Sequence, residues 1–179
     1  MQDKNVRRLA TLALLAAAAT ALCVLIHFPI FPTAPWLEYS PGDVPLIFAA
    51  FLYGPWWGLA VTAIACVVQG LTVSAGSGWI GIVMHLCATG ALVIVAGYCY
   101  RRWPGRSLIA MLIGAAVAIV LMLPLNLIFT PLYGTPVEAV KQMLFPIILP
   151  FNAVKYGANS LVAWLLYKPL QSFLKNREG

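Results

Sequence analysis

The chain has 179 residues, 62% of them hydrophobic and only 9% charged, whereas an ordinary soluble domain carries about 25% charged residues. A spanning helix needs roughly 20 apolar residues to cross a hydrocarbon core about 30 Å thick, so this length holds about six spans and no separate soluble catalytic domain. The formal charge of +6 would suit nucleic acid in a polar chain, but in one this apolar a basic excess more often marks the cytoplasmic flanks of spans.

Spans are expected at about 9–28, 44–53, 55–73, 79–100, 107–130 and 148–167 from the apolar runs, which gives an all-α integral membrane protein occupying residues 1–179 as one membrane domain. The first run, Leu9 to Phe28 behind Arg7 and Arg8, exceeds the roughly 7–15 residues of a signal-peptide core and is expected to remain as a span. Within it Ala10, Ala13, Ala17 and Ala21 follow small-residue spacing, a strip smooth enough for a second helix to approach, or simply internal packing. The segment from His27 to Asp43 carries four prolines, so it cannot be helical throughout and is expected to form a stiff, extended lid over the outer face. Its Trp36, Glu38, Tyr39 and Asp43 offer flat apolar faces beside hydrogen-bonding groups. The alternative is that Trp36 and Tyr39 are interfacial anchors and Asp43 caps the second span.

That second span, Val44 to Tyr53, is half the usual length, either extended by the lid or lying short against its neighbours. Gly54-Pro55 then breaks the chain before the third span. In the outer parts of spans three and four sit Gln69 and His85; an interhelical hydrogen bond, with Thr89 one turn away, would also account for the histidine. Near the outer end of span five, Asn126 falls at the same expected depth as Asn152. Between spans five and six, Thr135 to Leu144 reads as a short helix begun by Thr-Pro-Val-Glu, an amphipathic connector along the interface with Glu138 and Lys141 on its polar side. In span six, Asn152, Lys155, Tyr156 and Asn159 recur at i, i+3, i+4 and i+7, one helical face. An ionisable group there costs about 2.5–3.5 kcal/mol on insertion scales, so Lys155 should meet protein, water or ligand unless it snorkels outward. These polar groups converge beneath the lid, the layout of a pocket opening outward.

Lys4, Arg7, Arg8, Arg101, Arg102, Arg106, Lys168, Lys175 and Arg177 all fall on one side of six spans, which makes that side, and both termini, cytoplasmic. Distribution over three membrane flanks argues against a nucleic-acid partner. Cys23, Cys66, Cys87 and Cys99 show no metal-binding spacing and read as packing residues. No GxxxxGK[ST], HExxH or GxSxG occurs, so the chain is expected to be no enzyme, and energy for any transport must come from elsewhere.

Taken together, Ala13 and Ala17, the lid from Phe28-Pro29 to Asp43-Val-Pro45, Gly54-Pro55 with Gly58, Asn126 followed by Thr-Pro-Leu-Tyr-Gly134, and Pro150-Phe-Asn-Ala-Val-Lys155 running to Leu166-Tyr-Lys168 resemble the substrate-binding S component of an energy-coupling factor (ECF) vitamin transporter, most closely its riboflavin-specific RibU type. The resemblance spans nearly the whole chain; where that type carries acidic and amide residues early in span four, this sequence reads Gly81-Ile-Val-Met-His85. It implies a multi-pass protein of the bacterial cell membrane with riboflavin as transported ligand, no resident cofactor, and assembly in the lipid bilayer with a membrane T component and two ATPase subunits. By this resemblance Asn126, Asn152 and Lys155 would hydrogen-bond the flavin ring or ribityl chain; Asn159, Tyr39, Glu38, Asp43, Gln69 and His85, the other polar groups in and beneath the lid, are the further candidates for the site. Ala13, Ala17 and Ala21 would meet the T component, and the loaded S component would topple in the membrane as its partners hydrolyse ATP. An S component for another vitamin, or a stand-alone facilitator, would share the scaffold.

Overall fold

The computed structural model describes the backbone of residues 2–178 and the side chains of residues 4–171; the side chains of Lys175 and Arg177 lie outside the described residues. Apolar composition drives the chain into helices because an unpaired backbone amide or carbonyl has no water partner in hydrocarbon. The order is α1 (Gln2–Leu25), a hairpin of β1 (Phe28–Pro29) and β2 (Glu38–Tyr39), α2 (Asp43–Tyr53), α3 (Pro55–Leu71), α4 (Gly78–Arg102), α5 (Ser107–Phe129), α6 (Val137–Met143) and α7 (Leu149–Glu178).

Four segments, Lys4–Leu25, Ala75–Arg102, Ser107–Tyr133 and Val137–Gln171, are long and apolar enough to cross a membrane, whereas α2 and α3 are shorter. The six expected spans are thus four long helices and two shorter ones, with the second as short as its apolar run predicts. At 11 residues, α2 rises about 16 Å, half the hydrocarbon core. It lies among α1, α3, α4 and α7, with every residue from Asp43 to Phe51 buried, so no part of its backbone needs lipid or water. Gly54 turns the chain at φ 108°, a conformation natural to glycine, and Pro55 opens α3 without needing a donor. The close α2–α3 crossing depends on Gly58, where a Cβ would come within 2.8 Å of Ala50 Cα.

The proline-rich lid is a small antiparallel hairpin rather than a purely extended strap. Phe28 pairs with Tyr39 and Pro29 with Glu38, and the Phe28 and Tyr39 rings lie 5.4 Å apart. This hairpin is the one departure from an all-helical fold among the described residues. The short connector α6 starts at the expected Thr-Pro-Val-Glu, but it also packs. Val140, Leu144 and Ile148 form a second core with Leu37 of the lid and with Leu123 and Leu127 of α5, while Glu138 and Lys141 pair at 2.7 Å on its exposed side. Leu144–Ile148 makes a π-type turn into α7, eased by Pro146 and Pro150, which donate no amide hydrogen to the ladder. Beyond the expected end at 167, α7 continues through Pro169 to Glu178.

One end of the bundle collects basic and aromatic groups. The Arg8 guanidinium lies 4.7 Å from the Trp57 ring centroid, and Arg101 Nη2 donates to the Tyr53 carbonyl at 3.2 Å, closing the C-terminus of α2. Phe51 stacks on Tyr100 at 4.2 Å, and Tyr167 donates to the Tyr100 hydroxyl at 3.1 Å, clamping α2, α4 and α7 together. The lid covers the opposite end.

Candidate ligand-binding site

Three contiguous cavities lie beneath the lid. The largest, about 400 Å³, is walled by Trp36 and Leu37 of the lid, Met84 of α4, Met122 and Asn126 of α5, and Tyr133. Trp36, Leu37, Met84 and Met122 also border a second cavity of about 160 Å³, which reaches Gln69, His85, Phe151, Lys155 and Tyr156. A third, about 70 Å³, continues from Gln69, His85 and Lys155 to Glu38, Ser40 and Cys23. The chamber thus grades from thioether, indole and aliphatic walls at one end to amide, imidazole, ammonium and carboxylate groups at the other. Its size falls in the range of small-molecule pockets, roughly 300–1,000 Å³.

Of the residues singled out in the sequence, Glu38, Gln69, His85, Asn126 and Lys155 line these cavities. Gln69 is 4% exposed and its Nε2 has no protein acceptor; a buried donor left open at a cavity wall is supplied by solvent or ligand. Lys155 is half-buried, with Nζ 5.6 Å from the Tyr156 ring centroid. Asn126 is partly engaged already, donating to the Met122 carbonyl at 2.8 Å and accepting from Thr130 Oγ1 at 3.0 Å.

Asn152, Asn159 and Asp43 are placed behind that wall. Asn152 is buried, donates to the Ile148 carbonyl at 2.8 Å and leaves Oδ1 unpartnered. Asp43 does not cap α2, whose N-terminus has no side-chain cap. Its Oδ1 accepts from His85 Nε2 at 3.2 Å and Thr89 Oγ1 at 3.1 Å, and its Oδ2 from Asn159 Nδ2 at 2.8 Å. The same Asn159 nitrogen donates to the Ser40 carbonyl at 2.9 Å, and Ser40 Oγ meets Cys23 Sγ at 3.1 Å. Tyr39 sits on the lid's second strand, where burial, with the Asp43 charge adding, raises its phenol above the usual value, so the hydroxyl stays protonated at neutral pH.

Sequence reasoning passed over Met84, Met122, Phe151 and Tyr133, and treated Cys66 as packing, although it borders the middle cavity. The apolar members look like any core residue in a hydrophobic run. Tyr133 carried the one available signal, a phenol beside Gly134 at the end of a span; its hydroxyl donates to the Ser77 carbonyl at 2.6 Å and ties the α5–α6 loop to the α3–α4 loop. The alanine strip of α1 faces outward: Ala10, Ala13, Ala17 and Ala21 are exposed, while Leu12, Ala19 and Cys23 face the core.

A bundle of apolar helices holding an amphiphilic chamber under a lid at one end is the build of a membrane solute-binding protein. The chain belongs to the ECF transporter substrate-specific component family, whose model matches residues 7–167; this is a transporter family, not an enzyme family. It is 31% identical to the riboflavin transporter RibU of Staphylococcus aureus (strain TCH60), over 94% of this chain and 93% of that protein. It is 28% identical to the riboflavin transporter FmnP of Bacillus subtilis (strain 168), over 98% and 97% respectively. A solved structure of the S component of a bacterial ECF transporter superposes with a TM-score of 0.81 at 31% identity, covering 98% of this chain and 99% of that one.

Proposed function

We propose that this chain is the riboflavin-binding S subunit of an ECF transporter, taking the vitamin from outside the bacterial cell membrane and delivering it through partner subunits. The observation that carries the reading is the graded chamber. A flavin presents a flat, largely apolar ring system whose pyrimidinedione edge and polyol chain need donors and acceptors. Trp36, Met84 and Met122 supply flat or polarizable walls, while Gln69, Lys155, Glu38 and Asn126 supply hydrogen-bonding groups. The riboflavin transporters to which the chain is similar along nearly its full length support the choice of ligand. Tyr39 supports the site from the lid, and Asn152, Asp43 and Asn159 from behind the cavity wall.

The basic end, with Arg8 and Arg101, is assigned to the cytoplasm by the positive-inside rule, which puts the lid outside and both termini inside. The exposed face of Ala13, Ala17 and Ala21 is assigned to a membrane T component, and two ATPases bound to that component supply the energy. Titration of detergent-purified protein with riboflavin tests the ligand. Saturable, one-to-one quenching of flavin fluorescence at submicromolar ligand is expected, because stacking on an aromatic wall quenches the flavin. No quenching by folded protein refutes riboflavin and directs the search to other vitamins. Copurification with the T component and ATPases separates an ECF subunit from a stand-alone facilitator.

A further inference from the structure

We infer that Asp43 is a positioning residue for ligand retention: without touching the ligand, it sets the orientation of His85 at the cavity wall and ties the root of the lid to α7. The inference rests on the proposal that a flavin occupies the chamber.

Asp43 is 1% exposed and borders none of the three cavities. A carboxylate so buried is tolerated only when its acceptor sites are filled, and here the donors come from two helices far away in sequence. His85 and Thr89 on α4 fill Oδ1, and Asn159 on α7 fills Oδ2. The Lys155 ammonium also acts on the carboxylate electrostatically. Asp43 serves no cap of its own helix, so its whole hydrogen-bonding capacity goes to cross-helix contacts.

Two of those contacts lead to the site. His85 borders both polar cavities; with Nε2 held by Asp43 and the Cys66 thiol as a second partner, the ring is fixed about its axis where it faces the ligand space. Asn159 divides its two hydrogens between Asp43 and the Ser40 carbonyl, at the point where the lid joins α2. The carboxylate holds the amide, and the amide holds the lid root. The root has little freedom elsewhere: Ser40 Oγ meets Cys23 Sγ on α1, and a Cβ at Gly42 would collide with that same sulfur. A lid pinned at its root closes over the ligand with less conformational entropy to lose than a free one, and that gain appears mainly in the dissociation rate.

The test is a double-mutant cycle on the detergent-purified full chain with riboflavin as probe, reading affinity, dissociation rate and unliganded melting temperature. Asp43→Ala is expected to weaken binding by about tenfold or more, chiefly through faster release. In the His85→Ala background the same change is expected to cost no more than about threefold, because part of the effect is already gone. A residue that merely supports the fold would lower the melting temperature and leave the two effects multiplicative. Asn159→Ala keeps the carboxylate and removes the lid tie, so release about fivefold faster is expected even if Asp43→Ala does not fold. Asp43→Ala binding within twofold of the parent chain, multiplicative effects, or unchanged release in Asn159→Ala would each overturn the inference while leaving the flavin reading in place. No binding by the parent chain overturns the flavin reading and the inference with it.

Discussion

Replacing Lys155 by methionine leaves a flexible, unbranched side chain one atom shorter and removes its charge, so it tests what the ammonium contributes. Lys155 borders both polar cavities, is half-buried, acts electrostatically on Asp43, and among the described residues makes no salt bridge. A charge-assisted hydrogen bond to a flavin carbonyl or hydroxyl is worth about 1.5–3 kcal/mol, so Lys155→Met is expected to raise the riboflavin dissociation constant roughly ten- to hundredfold. Stability should respond differently. Removing an ion from a membrane segment relieves a cost of about 2.5–3.5 kcal/mol on insertion scales, but it also withdraws positive charge from buried Asp43. These effects oppose each other, so the unliganded melting temperature is expected to move little while affinity falls. Quenching of flavin fluorescence gives the affinity, and a thermal melt of the unliganded protein gives the control. An intact melt with a dissociation constant within threefold of the parent would remove Lys155 from the site.

Trp36→Ala deletes a wall shared by the two larger cavities and should weaken binding about tenfold while diminishing the quench itself; full quenching in this variant would place the ring elsewhere. Tyr133→Phe removes the bond to the Ser77 carbonyl, worth about 0.5–1.5 kcal/mol, and should speed flavin release up to about tenfold with an unchanged melt; equal release rates would refute a role in closing the chamber. Gly58→Val forces a side chain into Ala50 of α2 and should destabilise the fold by about 1–3 kcal/mol, which an undiminished melting temperature would contradict. Ala17→Trp, on the exposed strip of α1, should bind riboflavin within twofold of the parent yet fail to support uptake with its partners; normal uptake would remove the strip from the docking surface.

Short-range features were the legible ones. Gly54-Pro55 announces its break because φ above zero and a missing donor are local demands, and Thr-Pro-Val-Glu announces α6 for the same reason. The recurrence of Asn152, Lys155, Tyr156 and Asn159 identified a polar face correctly, but not its division of labour. Lys155 and Tyr156 reach the cavity, whereas Asn159 serves a carboxylate 116 residues earlier in the chain. That partnership, like the bond from Thr89 across 46 residues, depends on how deep α2 sits, and periodicity carries no information about depth. The half-length of α2 was visible, yet a run of apolar residues cannot say whether it is lengthened by its loop or buried short. Met84 and Met122 escaped because a residue facing an apolar cavity and one facing an apolar core satisfy the same composition rule.

The short second helix also closes the end of the bundle opposite the lid. Because α2 starts at Asp43 and ends at Tyr53, its polar start lies under the lid while its aromatic end enters the clamp of Phe51, Tyr100 and Tyr167. None of these three rings borders any of the three cavities. A ligand entering under the lid therefore meets packed aromatic rings, with Arg101 closing the carbonyl end of α2 behind them. Opening a path through that end would separate stacked rings and strip the α2 terminus of its guanidinium. Moving the loaded body as a unit against a partner leaves every one of these contacts intact. The exposed alanine strip on α1 permits close approach of another helix without interlocking side chains, which suits the docking role proposed for it.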